Sequence, residues 1–311
     1  MAAFVLRSAP ALLLSGMALA SCVAASTTPR TGARASTPPG PALPMSPSAC
    51  PPRDTMVRLD GVARQGGVLR GQLLRGGVAL SLDGRAVPLT ADRAFVIAFD
   101  RDAPATATLG VTLERGCGAF DVPLSVAPAN WDIQSVNASI TGGVSSAEFQ
   151  ARRAPELESI AAARARMTPG SSEGWRQAFV WPVVARISGR FGSQRIYRGT
   201  PGSYHSGVDL AAPAGTIYVA PADGVVILAA STPYTLEGNL LLIDHGMGLN
   251  SAFLHSQRLL VKAGEVVRRG QPIGMVGATG RATGPHLHWG MKWQDARIDP
   301  ITLVDAADPP R

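Results

Sequence analysis

Between positions 56 and 126 short apolar runs return at 68–73, 78–82, 94–99, 107–113 and 120–126. Within the second of these, Val78, Leu80 and Leu82 alternate with Ala79, Ser81 and Asp83, the two-residue period of a half-buried strand. Asp83-Gly84 then supplies residues that tolerate positive φ, as a tight hairpin requires. The pattern predicts a small immunoglobulin-like β-sandwich over 55–130, with a spacer as its simplest role. The periodicity changes further on. Ser145-Ser-Ala-Glu148 fits a capping box, and Leu157, Ile160, Ala161 and Met167 recur at helical spacing. A helical connector over 131–174 is predicted, kinked or restarted at Pro155 and ended by Thr168-Pro-Gly170. Its apolar stripe is expected to pack on a neighbouring domain rather than to contact a ligand. From 175 to 305 no long helical pattern occurs. Asp223-Gly224, Glu237-Gly-Asn239, His245-Gly-Met-Gly248, Arg269-Gly270 and Gly277-Ala-Thr-Gly280 divide many short strands, predicting an antiparallel β domain with a groove and an all-β fold class.

The composition fits a folded, two-domain chain: 311 residues, 46% apolar and 16% charged. The net charge of +7 rests almost wholly on arginine, since Lys262 and Lys292 are the only lysines. A basic surface favours anionic polymers or membrane phosphates. No basic helix, zinc-finger spacing or interleaved basic and aromatic run points to nucleic acid. At the N-terminus Arg7 precedes an apolar run, 9–20, too short to span a bilayer, so 1–21 reads as a secretory signal peptide. Leu19-Ala20-Ser21-Cys22 resembles the bacterial lipoprotein box, which implies cleavage before Cys22 and a lipid on its thiol. Ala18-Leu19-Ala20 also fits an ordinary cleavage site, which would release a soluble secreted protein. Residues 22–54, rich in Ala, Ser, Thr and Pro, read as a tether. With Cys22 lipidated, Cys50 and Cys117 remain as a pair able to form one disulfide in an oxidising compartment, or to stay as two thiols.

The chemistry concentrates late in the chain. All five histidines, at 205, 245, 255, 286 and 288, fall in one stretch. In an extended chain His286 and His288 project to one side, and His205 and Asp209 are spaced evenly enough to do the same. Two imidazoles and a carboxylate suit Zn²⁺, with a fourth tetrahedral position left open as in catalytic zinc sites. An imidazole beside that position has a pKa suited to proton transfer near neutral pH.

Four stretches occur in a telling order: His205-Ser-Gly-Val-Asp209-Leu-Ala-Ala-Pro, Val219-Ala-Pro-Ala-Asp-Gly-Val-Val226, Phe253-Leu-His255-Ser, and Gly277-Ala-Thr-Gly-Arg-Ala-Thr-Gly-Pro-His-Leu-His288. Over about 175–303 the chain resembles the LytM/lysostaphin-type zinc metallopeptidases, which cut the peptide part of peptidoglycan. The resemblance implies that His205, Asp209 and His288 ligate the metal, and that His255 and His286 are the two active-site histidines that do not. It places His245 outside that set, as a structural residue at a strand end. Thr279, Gly280, Thr283 and Gly284 are expected to shape the backbone beside the ligands. The family usually has an arginine two residues after the glycine of Ile187-Ser-Gly-Arg-Phe-Gly192, whereas here Arg195 stands three beyond. Arg190, Arg195 and Tyr204 are therefore groove residues at most.

These features imply an exported zinc endopeptidase acting on peptidoglycan stem peptides or cross-bridges, a D-alanyl to diaminopimelate cross-link in a Gram-negative envelope. The lipid on Cys22 would anchor it to a membrane, and Val23 tilts the expectation to the periplasmic face of the outer membrane. Some relatives have lost their ligands and activate other wall hydrolases, so a non-catalytic regulator is the alternative; a regulatory protein partner of unknown identity is also expected. The runs from Val219 and from Val261-Lys-Ala-Gly also resemble lipoyl and biotinyl carrier domains. Lys262, however, is not at the hairpin tip a carrier needs.

Overall fold

The computed structural model describes residues 50–138, 146–167 and 169–304. The signal peptide, Cys22 and most of the tether lie outside the described residues, as does Ser145. Every run expected in the first half forms a strand. Val57–Asp60, Val68–Leu73 and Ala94–Ala98 make a three-stranded antiparallel sheet. Arg85–Val87, Gly77–Leu82, Thr106–Leu113 and Ala119–Ser125 make a four-stranded one. Of the sandwich expected here, the structure gives these two sheets. Alternation puts Ala107, Leu109, Val111 and Leu113 inward along one strand. The hairpin at Asp83-Gly84 has both residues at positive φ, as their side chains allow. Val78 departs from its expected inward place: a register shift between Gly77 and Ala79 turns it out, 54% exposed, while Leu80 and Leu82 stay buried. Cys50 and Cys117 form a disulfide that ties the chain's entry to this part.

Within 131–174 the structure has two elements. Ile133–Val136 is a strand that pairs in parallel with Gln194–Tyr197, which also pairs with Thr200–Pro201. Ala147–Ala165 is a single helix, capped by Ser146, whose Oγ accepts from Phe149 N. It runs through Pro155 as one helix, so of the kink or restart expected there the restart does not occur. Pro155 is exposed, so water can satisfy the carbonyl it strands. The flanking turn is also pinned: Arg153 pairs with Glu156 and Glu237, and Glu156 accepts from Thr235 N and Oγ1. The buried stripe is Ile160 and Ala163, with Met167 partly buried; Leu157 is 50% exposed and Ala161 faces solvent. A helix resting on a sheet by a narrow contact buries only one such line.

That sheet has eight strands, in the order Val266–Val267, Gly224–Ala229, Asn239–Gly246, Leu249–Ser256, Leu287–Trp293, Gly207–Ala211 and Arg186–Gly189, with Ala296–Ile298 also paired to Leu287–Trp293. Its neighbours are all antiparallel. Ile217–Val219, Pro272–Met275 and Arg258–Leu259 form a smaller sheet beside it. One apolar cluster runs from Met56 and Phe95 in the first half to Trp289 and Leu303 in the second, so the two halves share a core. Polar ties cross between them as well. Arg70 donates to the carbonyls of Trp175 and Gln177, and Asp299 N donates to Gly66 O. The helix closes a separate cluster with Ile227, Leu240, Leu242 and Ala252, on the opposite face of the large sheet from Trp289.

Candidate metal centre

The strand Leu287–Trp293 has Gly207–Ala211 on one side and Leu249–Ser256 on the other. Its register sets Asp209 directly opposite His288 and, through the next strand, opposite Gly189. His205 arrives from the loop before Gly207. Its ligand-capable Nε2 lies 3.1 Å from Asp209 Oδ1 and 3.1 Å from His288 Nδ1, while that Nδ1 lies 2.9 Å from Asp209 Oδ1. A tetrahedral ion with bonds of about 2.0–2.1 Å holds its ligand atoms about 3.3 Å apart. The triangle therefore matches the base of such a site, and no other group of three His, Cys, Asp or Glu side chains among the described residues offers one.

The surroundings are built to keep those atoms there. His205 Nδ1–H donates to Arg190 O, which leaves the Nε2 lone pair for a ligand, and His205 N donates to Ser193 O. Two glycines make room. A Cβ on Gly189 would come within 2.6 Å of Asp209 Oδ2, and one on Gly207 within 2.6 Å of His288 Nε2. Sequence reasoning passed over both, because the requirement comes from adjacent strands.

The electrostatics suit a cation. Burial opposes the charge of Asp209, but hydrogen bonds and charge from His205 and His288 outweigh it and hold the carboxyl well below the usual range. Burial also works against a charged His205, yet Asp209 pushes its pKa up on balance. Burial dominates at His288 and lowers it. A proton on His205 and a divalent cation thus compete for one nitrogen.

His255 and His286 stand beside this triangle. Their ring centroids are 4.9 Å apart, and His255 lies 6.3 Å from His288. His286 Nε2 is 3.8 Å from Asp209 Oδ1. In each ring Nδ1–H donates to a carbonyl, Thr279 O for His255 and Gly284 O for His286, so each has Nε2 free. His255 sits at φ +63°, a conformation that non-glycine residues seldom take. Thr279 secures the turn through Ser256 O and Asn239 N. Gly280 at φ +73° closes it against Gly238. Burial keeps His255 low, towards the neutral form.

His245 is elsewhere. It is fully buried, donates from Nδ1 to Asp223 O, accepts from Ser251 Oγ at Nε2, and packs edge-on against Phe179. Burial lowers its pKa to about 4. Every polar atom of that ring is used.

Arg190, Arg195, Tyr204 and His205 line an open cavity of about 620 Å³ with Gln134 and Arg281. The first half of the chain reaches this wall through Arg101, which sequence reasoning also passed over. Arg101 is 5% exposed and donates to Gly192 O and Gln194 Oε1 under the ring of Tyr204. Gly192 N in turn donates to His205 O, so Arg101 and His205 grip the same loop from opposite ends.

Residues 203–300 match Peptidase family M23. The crystal structure of a Pseudomonas aeruginosa protein assigned to peptidase M23 superposes with a TM-score of 0.60 at 31% identity, over 79% of this chain and 97% of that one. The peptidoglycan DD-endopeptidase ShyA of Vibrio cholerae is 35% identical over 214 residues, which is 65% of this chain and 47% of ShyA. The DD-carboxypeptidase/endopeptidase Mpg of Neisseria meningitidis is 37% identical over 126 residues, 39% of this chain and 28% of Mpg. The chain spans about half or less of the length of these curated relatives. With an antiparallel β fold, a His/Asp/His triangle able to hold a metal and these likenesses, the chain belongs to the M23 family of metallopeptidases.

Proposed function

We propose that the protein is a zinc-dependent endopeptidase that hydrolyses the peptide cross-links or stem peptides of peptidoglycan. The observation that carries this reading is the triangle of Nε2, Oδ1 and Nδ1 with two further imidazoles beside it, each bare at Nε2. The likeness to ShyA and Mpg supports the substrate class.

His205, Asp209 and His288 would hold zinc, the borderline N/N/O set that this ion favours. Zinc there would lower the pKa of water and polarise the scissile carbonyl. His255 and His286 do the proton work. With Nδ1–H committed to a carbonyl, a neutral ring accepts a proton at Nε2 from the attacking water and delivers it to the leaving amine. The other ring, once protonated, donates from Nε2 to the oxyanion. Gly189 and Gly207 keep the ligands in place, and the loop gripped by Arg101 fixes the tautomer of His205.

We read 175–305 as the peptidase domain and 55–130 as the β domain, with 131–174 between them. The lipobox at Leu19-Ala20-Ser21-Cys22 supports an exported lipoprotein facing the periplasm from the outer membrane. The test is digestion of purified sacculi. Muropeptide monomers should appear with the zinc-loaded protein, vanish with chelator and return on adding zinc. Intact sacculi after incubation with fully loaded protein would refute the activity.

A further inference from the structure

Past His288 the same face of the large sheet continues into a cavity of about 200 Å³, under the helix Ala147–Ala165. Leu254, Ala252 and Gly290 make an apolar floor beside Leu240 and Leu242, which the helix already covers, and Leu157 leaves an exposed apolar rim. At the far end three cations meet: Arg164 from the helix, Lys292 from the same strand as His288, and Arg297.

None of the three is ion-paired among the described residues. Arg164 donates only to the neutral Asn250 Oδ1. Of the nearby carboxylates, Asp295 pairs with Arg85, and Asp100 accepts from the backbone N–H of Arg297 and from the Tyr204 hydroxyl; both still act favourably on Lys292, without pairing with it, and the Arg297 guanidinium rests over the Tyr204 ring. Arg153, on the same cavity wall, is by contrast neutralised by Glu156 and Glu237. Burial, followed by the charges of its neighbours, lowers the pKa of both Arg164 and Lys292. Arg164 and Lys292, half-buried and close to each other beside the exposed Arg297, are unfavourably placed until an anion joins them.

We infer that this cavity seats a carboxylate of the peptide substrate, with the intervening segment extended over the apolar floor between the metal centre and Arg164, Lys292 and Arg297. The inference rests on the peptidase reading and adds a recognition element to it. Its reach is defined by the strand. His288 and Lys292 are four residues apart on one face, about 13 Å in a β-strand. The carboxylate recognised is therefore three or four residues from the bond cut. An arginine offers paired N–H donors to such a group and a lysine adds a point charge.

The test uses two synthetic peptides, dimers of stem peptides joined by the D-alanyl to diaminopimelate bond, alike except that one carries free carboxylates at that distance and the other carboxamides. The zinc-loaded full chain should show a KM about tenfold lower for the acid. In a Lys292→Gln/Arg297→Gln variant that ratio should fall to near one, while Lys292→Arg and Arg297→Lys should preserve it. Unchanged thermal melting would establish that the variants are folded, and the single variants, assayed in parallel, stand in if the double one unfolds. Equal KM values in the wild type, or a preference that survives the Gln variants, would overturn the inference. If neither peptide is cleaved, calorimetric binding of the same pair decides separately: a preference for the acid that the Gln variants lose sustains the carboxylate seat while the hydrolytic reading falls, and equal binding removes the seat as well.

Discussion

The strand Leu287–Trp293 serves two regions at once, one on each face of the sheet. On one face Leu287, Trp289, Met291 and Trp293 enter the shared core, where Trp289 meets Trp181 edge-on and donates to Ser251 Oγ. On the other, His288, Gly290 and Lys292 line the groove. The first face is made of volume and the second of lone pairs, charge and missing side chains. A residue on the core face is replaced at the expense of the fold, whereas one on the groove face is replaced at the expense of chemistry. The division also explains the two kinds of histidine. His245 has both nitrogens consumed by protein partners, while His255 and His286 each keep one in reserve.

The largest effect should come from the core face. Trp289→Ala removes a fully buried indole and leaves its cavity, so denaturant unfolding should show a loss of about 3–5 kcal/mol, with metal binding lost only where the chain is unfolded. A smaller loss would mean that the core does not hold the strand as described. His245 gives the next effect, through pH. Its native pKa is depressed to about 4, whereas an unfolded histidine titrates near 6.5. Above the unfolded value both states are neutral and nothing is lost. As pH falls from about 6.5 to 4 the unfolded chain takes the proton first, and stability should decline by up to about 3 kcal/mol. In a His245→Gln variant this part of the slope should be lost from pH-dependent melts of metal-free protein, leaving the smaller share from His255 and His288, whose pKa values burial also lowers. The smallest effect concerns Arg101, which touches no ligand. Arg101→Met should weaken zinc affinity about tenfold by loosening the loop that orients His205, with a Kd measured by competition against a chelating dye. Unaltered affinity would separate the first half of the chain from the site.

Much of this division was legible beforehand. His288 Nδ1 and His286 Nε2 lie 2.9 and 3.8 Å from Asp209 Oδ1, on the one side that a two-residue period, a local property, describes. The hairpin at Asp83-Gly84 was legible for the same reason: its φ values are a property of two residues. What escaped was set by partners distant in the chain. Val78 turns outward because of a register shift against Thr106–Leu113, and Pro155 is tolerated because Arg153 and Glu156 anchor the helix to Glu237 and Thr235. The need for glycine at 189 and 207 appears only when three strands are side by side. Arg101 lies 91 residues from the carbonyl it holds, beyond any local pattern.

We propose that three side chains hold the ion and two neighbouring imidazoles act without holding it. Zinc content per chain after exhaustive dialysis is the test. About one equivalent should remain in the wild type and in His255→Ala and His286→Ala, both nearly inactive, and almost none in Asp209→Ala or His288→Ala. A full equivalent retained by Asp209→Ala, or zinc lost from His255→Ala, would refute this division between ligands and proton-transfer residues.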